Sequence, residues 1–399
     1  MKKRILISLV AALAVFSGFG QNVVNADRLE KIKKNYLDYP NGKAAYDALI
    51  ERADKALDIR LVPVTEKNIF AVSGDPHDYV SMGPYWWADP DKPDGLPYIQ
   101  RDGERNPESY QYDRTKINVL YETVRPLAFA YFFTGKEEYA RRAVENLRIW
   151  FLDPETRMNP NLNYAQMIPG HNGSKGRAAG VIDAYSFIGV TEAVRLLEPS
   201  QALTPEILGG LKTWFSDLTD WLLSSSIGFA EQNATNNHSI AYDVQVVTYA
   251  LFAGRDIVAK GFIDQFPERR LFAQIRPDGS MPRELQRTMS VHYTHYNLEH
   301  MLDMCMLAQR MGIELYDQTG SEGQSIPKAM EFALQWVGTP QSEYPYSEIG
   351  SWDGNQQKLV WLARRSTLLC PDQAYDALFD RYCTAGPDDL RWLLLGKKQ

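Results

Sequence analysis

The sequence predicts an all-α fold, an (α/α) toroid of about six to seven helical hairpins in a single domain. Three observations carry this. Apolar residues recur at helical spacing through most of the chain after residue 110, the periodic stretches are joined by short turns, and strand-like alternation is nearly absent.

The chain has 399 residues and opens on Met1-Lys2-Lys3-Arg4, followed by small or apolar side chains from Ile5 to Phe19. A charged start and a short apolar run read as a secretory signal peptide over residues 1–20, leaving 21–399 as the mature domain. The run is too short for a comfortable membrane span, so a periplasmic or secreted location is expected. Removing Lys2, Lys3 and Arg4 takes the formal charge from −7 to −10. That balance argues against nucleic acid and anionic membranes as partners, and a polyanionic substrate then needs a locally basic cleft. Cys305, Cys370 and Cys383 are late, widely spaced and odd in number, so they form no disulfide framework.

Along the chain, Val119, Leu120, Val124, Leu127, Ala128 and Tyr131 mark one amphipathic helix, and Ala143, Leu147, Ile149 and Trp150 mark the next. Further helices are expected near 41–57, 180–197, 205–224, 238–253, 257–273, 295–312, 325–337, 354–369 and 371–383. Turns such as Thr134-Gly135-Lys136 and Asp153-Pro154-Glu155 are short enough to make neighbours antiparallel. No strict repeat is visible, which disfavours a solenoid of near-identical units.

Residues 74–113 and 154–179 break the helical pattern, and long irregular segments in a compact domain are usually functional loops. The first holds Tyr85, Trp86, Trp87 and Tyr98, whose rings suit stacking on the apolar faces of sugars; the alternative is that the tryptophans plug the toroid. The second holds Gln166, His171, Lys175 and Arg177 in a Gly-rich context, able to line a carboxylate-binding groove or simply to form a solvated surface loop.

Two segments carry candidate chemistry. Asn233-Ala234-Thr235-Asn236-Asn237-His238 precedes an apolar helix; an N-cap accounts for one asparagine but not for three beside a histidine. Arg283 to Asn297 contains Arg287, Tyr293, Tyr296 and, with His300, three of the six histidines. His292, His295 and His300 match no standard zinc spacing, and no metal or other cofactor is expected. Asn237, His238, Arg287 and Tyr293 instead form a set suited to β-elimination on a uronic acid. That reaction removes the C5 proton, builds enolate-like charge on the carboxylate and expels the C4 oxygen, so it needs donors, a base and an acid. Asn237 and Arg287 are the donors. Tyr293 serves as base and acid if Arg287 lowers its phenol toward the working pH, and His238 is either an alternative base or a group that orients the carboxylate.

These residues resemble the alginate lyase superfamily of α/α-toroid polysaccharide lyases, of the bacterial alginate or glucuronan lyase type. The matching pieces are Asn237-His238, the Arg-Glu-Leu-Gln-Arg segment ending at Arg287, His292-Tyr293, Tyr85-Trp86-Trp87, and Tyr164 to Gly170, spanning roughly residues 70–310. The resemblance implies Asn237, His238, Arg287 and Tyr293 as the catalytic set. It also implies substrate contacts from Tyr85, Trp86, Trp87, Tyr98, Gln166, His171, Lys175, Arg177, Arg283, His292 and Tyr296. The implied substrate is an anionic polysaccharide, alginate above all in its mannuronate-rich stretches, with glucuronan as the alternative. The Arg287–Tyr293 spacing is one residue shorter than in the best-known members, which points to a sister family and leaves Tyr296 as a competitor. A glycoside hydrolase would need paired carboxylates, for which Asp183, Asp243, Glu284 and Asp353 are the candidates. A non-catalytic glycan-binding protein is the remaining alternative.

Overall fold

A computed structural model describes residues 23–396. The expected signal peptide lies outside the described residues.

The main helices are α1 (Ala26–Asn35), α2 (Gly42–Leu57), α3 (Arg114–Thr134), α4 (Glu137–Phe151), α5 (Ser186–Leu197), α6 (Pro205–Ser224), α7 (Ser226–Gln232) and α8 (Asn237–Phe252). They continue with α9 (Asp256–Phe266), α10 (Pro282–Leu285), α11 (Ser290–Gln309), α12 (Ile326–Leu334), α13 (Trp352–Ser366), α14 (Gln373–Tyr382) and α15 (Arg391–Leu395). The fold is an α/α toroid. Helices α3, α5, α8, α11 and α13 pack successively on one another as an inner ring, while α2, α4, α6, α9, α12 and α14 lie against them from outside. Near the end of the chain, α15 returns to pack on α1 and α2.

Position in the two rings explains the sequence patterns. An outer helix buries one stripe: α4 hides Tyr139, Ala140, Ala143, Val144, Leu147, Trp150 and Phe151. An inner helix is walled in on all sides, and α8 is buried at every position from Ser239 to Ala250. Its apolar residues therefore surround the axis instead of forming a face. Helix ends follow local chemistry. Thr204 caps α6 by accepting from Ile207 N–H at 3.3 Å, with Pro205 at the first helical position. Gly135 ends α3 at φ 70°, a left-handed conformation that glycine adopts without a Cβ penalty.

The structure departs from expectation in small ways. Residues 178–185 form a 3₁₀ segment before α5, and α9 passes through a π turn at Pro267–Leu271. The two irregular stretches also contain short strands: β1 (Val80–Met82) pairs in parallel with β4 (Tyr164–Met167), and β2 (Trp86–Trp87) pairs antiparallel with β3 (Ile99–Gln100). Strands of two to four residues are too short to show alternation. The β1–β4 pair knits the two loops together over a second small core of Ala71, Val80, Met82, Tyr112 and Met167. Below it, Asp183 accepts from Tyr79 at 2.9 Å, Ser81 at 2.5 Å and Gln166 Nε2 at 3.1 Å, which fixes the loops to the inner ring.

Candidate active site

The start of α8 resolves the asparagine cluster. Asn236 is the N-cap, its side chain accepting from His238 N–H at 3.4 Å, and this frees Asn237 and His238 for other work. Asn237 donates from its backbone N–H and from Nδ2 to the two oxygens of Glu284, both at 2.7 Å. Glu284 in α10 is fully buried; burial raises its pKa, with the Asn237 donors, Arg287 and His238 opposing. The Asn237 Oδ1 is buried without a partner. His238 places Nδ1 at 2.6 Å from Oε1 of Glu231, a buried carboxylate at the end of α7. In the neutral ring, a carboxylate facing Nδ1 keeps the proton there and leaves the Nε2 lone pair free.

Arg287 and Tyr293 meet across the α10–α11 junction. The guanidinium lies 3.7 Å from the centre of the Tyr293 ring, while Nε and Nη2 donate to Asp102 at 3.2 and 2.6 Å. Tyr293 donates its hydroxyl proton to the Tyr85 hydroxyl at 3.2 Å. The condition set for Tyr293, a phenol lowered by Arg287, is not met in the unliganded protein. Burial pushes the Tyr293 phenol far above its usual value and the Tyr85 oxygen adds to that, while Arg287 opposes without prevailing. The unliganded phenol is therefore neutral at working pH.

The remaining predicted residues divide into two groups. Gln166 sits at φ 48°, a left-handed conformation that is costly for a residue with a side chain, and Arg177 donates to its Oε1 at 2.8 Å. The Arg177 guanidinium lies 5.9 Å from the Trp86 ring, and Trp86 meets His171 edge-on at 5.2 Å. Burial lowers the Arg177 pKa, with Asp183 and Glu231 opposing. His292 contacts Tyr293 at 5.1 Å and lies parallel to Tyr296 at 5.9 Å. Of these residues, His292 is in ring contact with a member of the central four, Tyr293. Trp87 is set apart, bonded to Glu104 O at 2.9 Å with Arg101 at 5.2 Å from its ring. The Tyr98 hydroxyl is committed to Glu108 at 2.8 Å, and burial with that carboxylate pushes its pKa up to about 12. Lys175 and Arg283 are exposed.

Comparison with known proteins is decisive for the family. The family model described as alginate lyase matches residues 63–343. The chain belongs to the alginate lyase family. An alginate lyase from Bacteroides ovatus, known from its crystal structure, is 45% identical, with 94% of this chain and 98% of that one covered at a TM-score of 0.92. Alginate lyase A1-III from Sphingomonas species A1 has 16% identity, 92% and 99% coverage and a TM-score of 0.50, a likeness of fold. A tyrosine-to-phenylalanine variant of A1-III complexed with tetrasaccharide gives a TM-score of 0.51 at 16% identity over 92% and 99% of the two chains. A comparison with curated proteins gives no match.

In this polysaccharide lyase three of the four carboxylates raised for a hydrolase have other partners, and the fourth is exposed. Asp183 anchors the loops, Asp243 pairs with Arg270 at 2.6 Å, Glu284 holds Asn237, and Asp353 lies in the exposed first turn of α13. Among the described residues, no group of three or more His, Cys, Asp or Glu side chains is placed to hold a metal ion, and no helix is long and apolar enough to cross a membrane. Glu231, Glu284 and Asp102, which bind the catalytic candidates, were not singled out for those roles in the sequence. The Glu231 contact gives a direct prediction: Glu231→Gln offers no charge to hold the Nδ1 proton and should lower kcat about 10- to 100-fold with the fold intact. Steady-state kinetics and circular dichroism check it, and wild-type turnover would remove Glu231 from the mechanism.

Proposed function

We propose that this lyase is exported and depolymerises alginate, favouring mannuronate-rich stretches, by β-elimination that leaves unsaturated oligosaccharides. The observation that carries the reading is the Arg287–Tyr293 stack with Tyr85, which the reading joins in one cleft to Asn237 and His238 at the start of α8. The 45% identical relative named as an alginate lyase supports it. In this reading Arg287 and the second Nδ2 proton of Asn237 face the uronate carboxylate, making the C5 proton more acidic and holding the charge that develops when it leaves. The C5–H bond breaks to a base, the C4–O bond breaks as a C4–C5 double bond forms, and the leaving oxygen takes a proton. No cofactor is proposed.

Mannuronate and glucuronate share the geometry at C4 and C5, so one tyrosine serves both, and glucuronan is the alternative substrate. A second reading is favoured by the neutral Tyr293 and by the Glu231 carboxylate behind His238. There His238 Nε2 takes the C5 proton and Tyr293 donates to the leaving oxygen, an arrangement suited to guluronate with its opposite C5 configuration.

The purified protein incubated with polymannuronate, polyguluronate and glucuronan should raise ultraviolet absorbance fastest on polymannuronate. New reducing ends without absorbance would show hydrolysis and overturn the proposal.

A further inference from the structure

His292 occupies the first turn of α11, between the Arg287–Tyr293 stack and Tyr296. Its backbone is pinned, with Val291 and His292 N–H donating to Glu348 Oε2 at 2.9 and 3.3 Å. Its ring is pinned as well, edge-on to Tyr293 and parallel to Tyr296 within 11°. On its far side Lys358 of α13 places Nζ 3.2 Å from His292 Nδ1 and 3.0 Å from Asn355 Oδ1. Burial lowers the Lys358 pKa, with Glu348 and Glu299 opposing; as an ammonium it has protons to give and no lone pair, which makes Nδ1 the acceptor. The ring is then neutral, and its one proton sits on Nε2. That atom makes no hydrogen bond among the described residues and is not buried, so it is free to donate to a ligand.

We propose that Lys358 is a positioning residue that locks His292 as the Nε2–H tautomer, so that His292 offers a neutral N–H donor to the carboxylate of the uronate being cleaved. The inference rests on the proposed uronate cleft for its ligand, but the tautomer is a property of the free protein.

The surroundings favour an anion at this point. Lys358 from α13, Arg287 from the α10–α11 junction and Arg105 from the loop after β3 all act on His292; Tyr293, His295 and Tyr296 are its neighbours on α11. Glu348 is turned to the backbone. Burial, followed by those three cations, holds the His292 pKa down to about 4. The ring thus stays neutral where uronates are ionised. A neutral donor suits the chemistry, because a hydrogen bond aimed at a carboxylate strengthens as enolate charge develops, whereas a full cation would bind the resting carboxylate tightly too.

The test joins ¹⁵N NMR of the histidine rings in the ligand-free protein with kinetics. Wild type should show His292 as a single Nε2–H tautomer across the neutral range, and Lys358→Met should show mixed tautomers. Lys358→Met should lose about 10- to 100-fold in kcat with little change in KM, and Lys358→Arg should restore most of it. His292→Gln, which keeps an amide donor at similar reach, should retain more activity than His292→Ala. An Nδ1–H tautomer in wild type overturns the lock, and full kcat in a Lys358→Met variant overturns its importance. If wild type shows the Nε2–H tautomer yet cleaves none of the uronate polymers, the functional reading fails and the donor role with it, while the lock stands.

Discussion

Tyr293→Phe is expected to lower kcat about 10²- to 10⁴-fold while oligosaccharide binding persists, the usual contribution of a positioned acid–base group. The substitution removes one oxygen, the atom 3.2 Å from the Tyr85 hydroxyl, and leaves the ring face 3.7 Å from the Arg287 guanidinium. Ultraviolet kinetics on polymannuronate and calorimetric titration with a short oligosaccharide separate the two effects. Tyr296→Phe is the control: that ring lies parallel to His292 and 4.1 Å from His300, outside the Arg287 stack, so turnover should be near wild type. The reverse pattern would transfer the role to Tyr296. The pH profile then distinguishes the two readings of the wild-type mechanism. A phenol whose pKa lies well above the ordinary value is ionised in a fraction that grows about tenfold per pH unit. Activity on polymannuronate should therefore climb toward alkaline pH if Tyr293 is the base, and stay flat there if His238 is the base and Tyr293 only the acid.

What was legible in the sequence was whatever depends on local spacing. The outer helices show one apolar stripe, the inner ones are apolar all round, and both were long enough to place to within a few residues. Asn237 and His238 stood out because helix capping consumes a single asparagine, and Asn236 is the residue it consumes. The partners that hold the catalytic candidates were hidden by distance along the chain. Glu284 lies 47 residues from Asn237, Asp102 lies 185 from Arg287, and Lys358 lies 66 from His292. Only the closing of the toroid brings them together. The burial of Tyr293 was hidden for a related reason. A cation next to a phenol is readable from a motif, but the burial that outweighs it comes from the folded surroundings and not from local spacing. Glu231, only seven residues from His238, was within reach of local reasoning, but nothing in its composition distinguishes it from an ordinary helix-surface glutamate.

The largest stability effect is expected from Asp243→Ala. Arg270, in the π turn after α9, donates from Nε and Nη2 to the two Asp243 oxygens at 2.6 and 2.8 Å, and from Nη2 to Gln232 O at 2.9 Å. Asp243 is 1% exposed and Arg270 3% exposed, so both charges depend on each other and not on water. Removing the carboxylate leaves a guanidinium stranded in the interior, which typically costs about 3–5 kcal/mol, a large share of a domain's net stability of roughly 5–15 kcal/mol. Denaturant unfolding should show the loss as a lower midpoint, and the variant should turn over normally under conditions where it remains folded, because Asp243 belongs to the α8–α9 packing and not to the cleft. A loss below about 1 kcal/mol would mean that water reaches Arg270, and a selective loss of kcat in the folded variant would return Asp243 to the list of catalytic carboxylates. Replacing both partners with apolar residues of similar volume supplies the complementary arm: about neutral stability there, beside the large loss in Asp243→Ala, is the pattern of an ion pair whose burial costs nearly as much as its attraction returns.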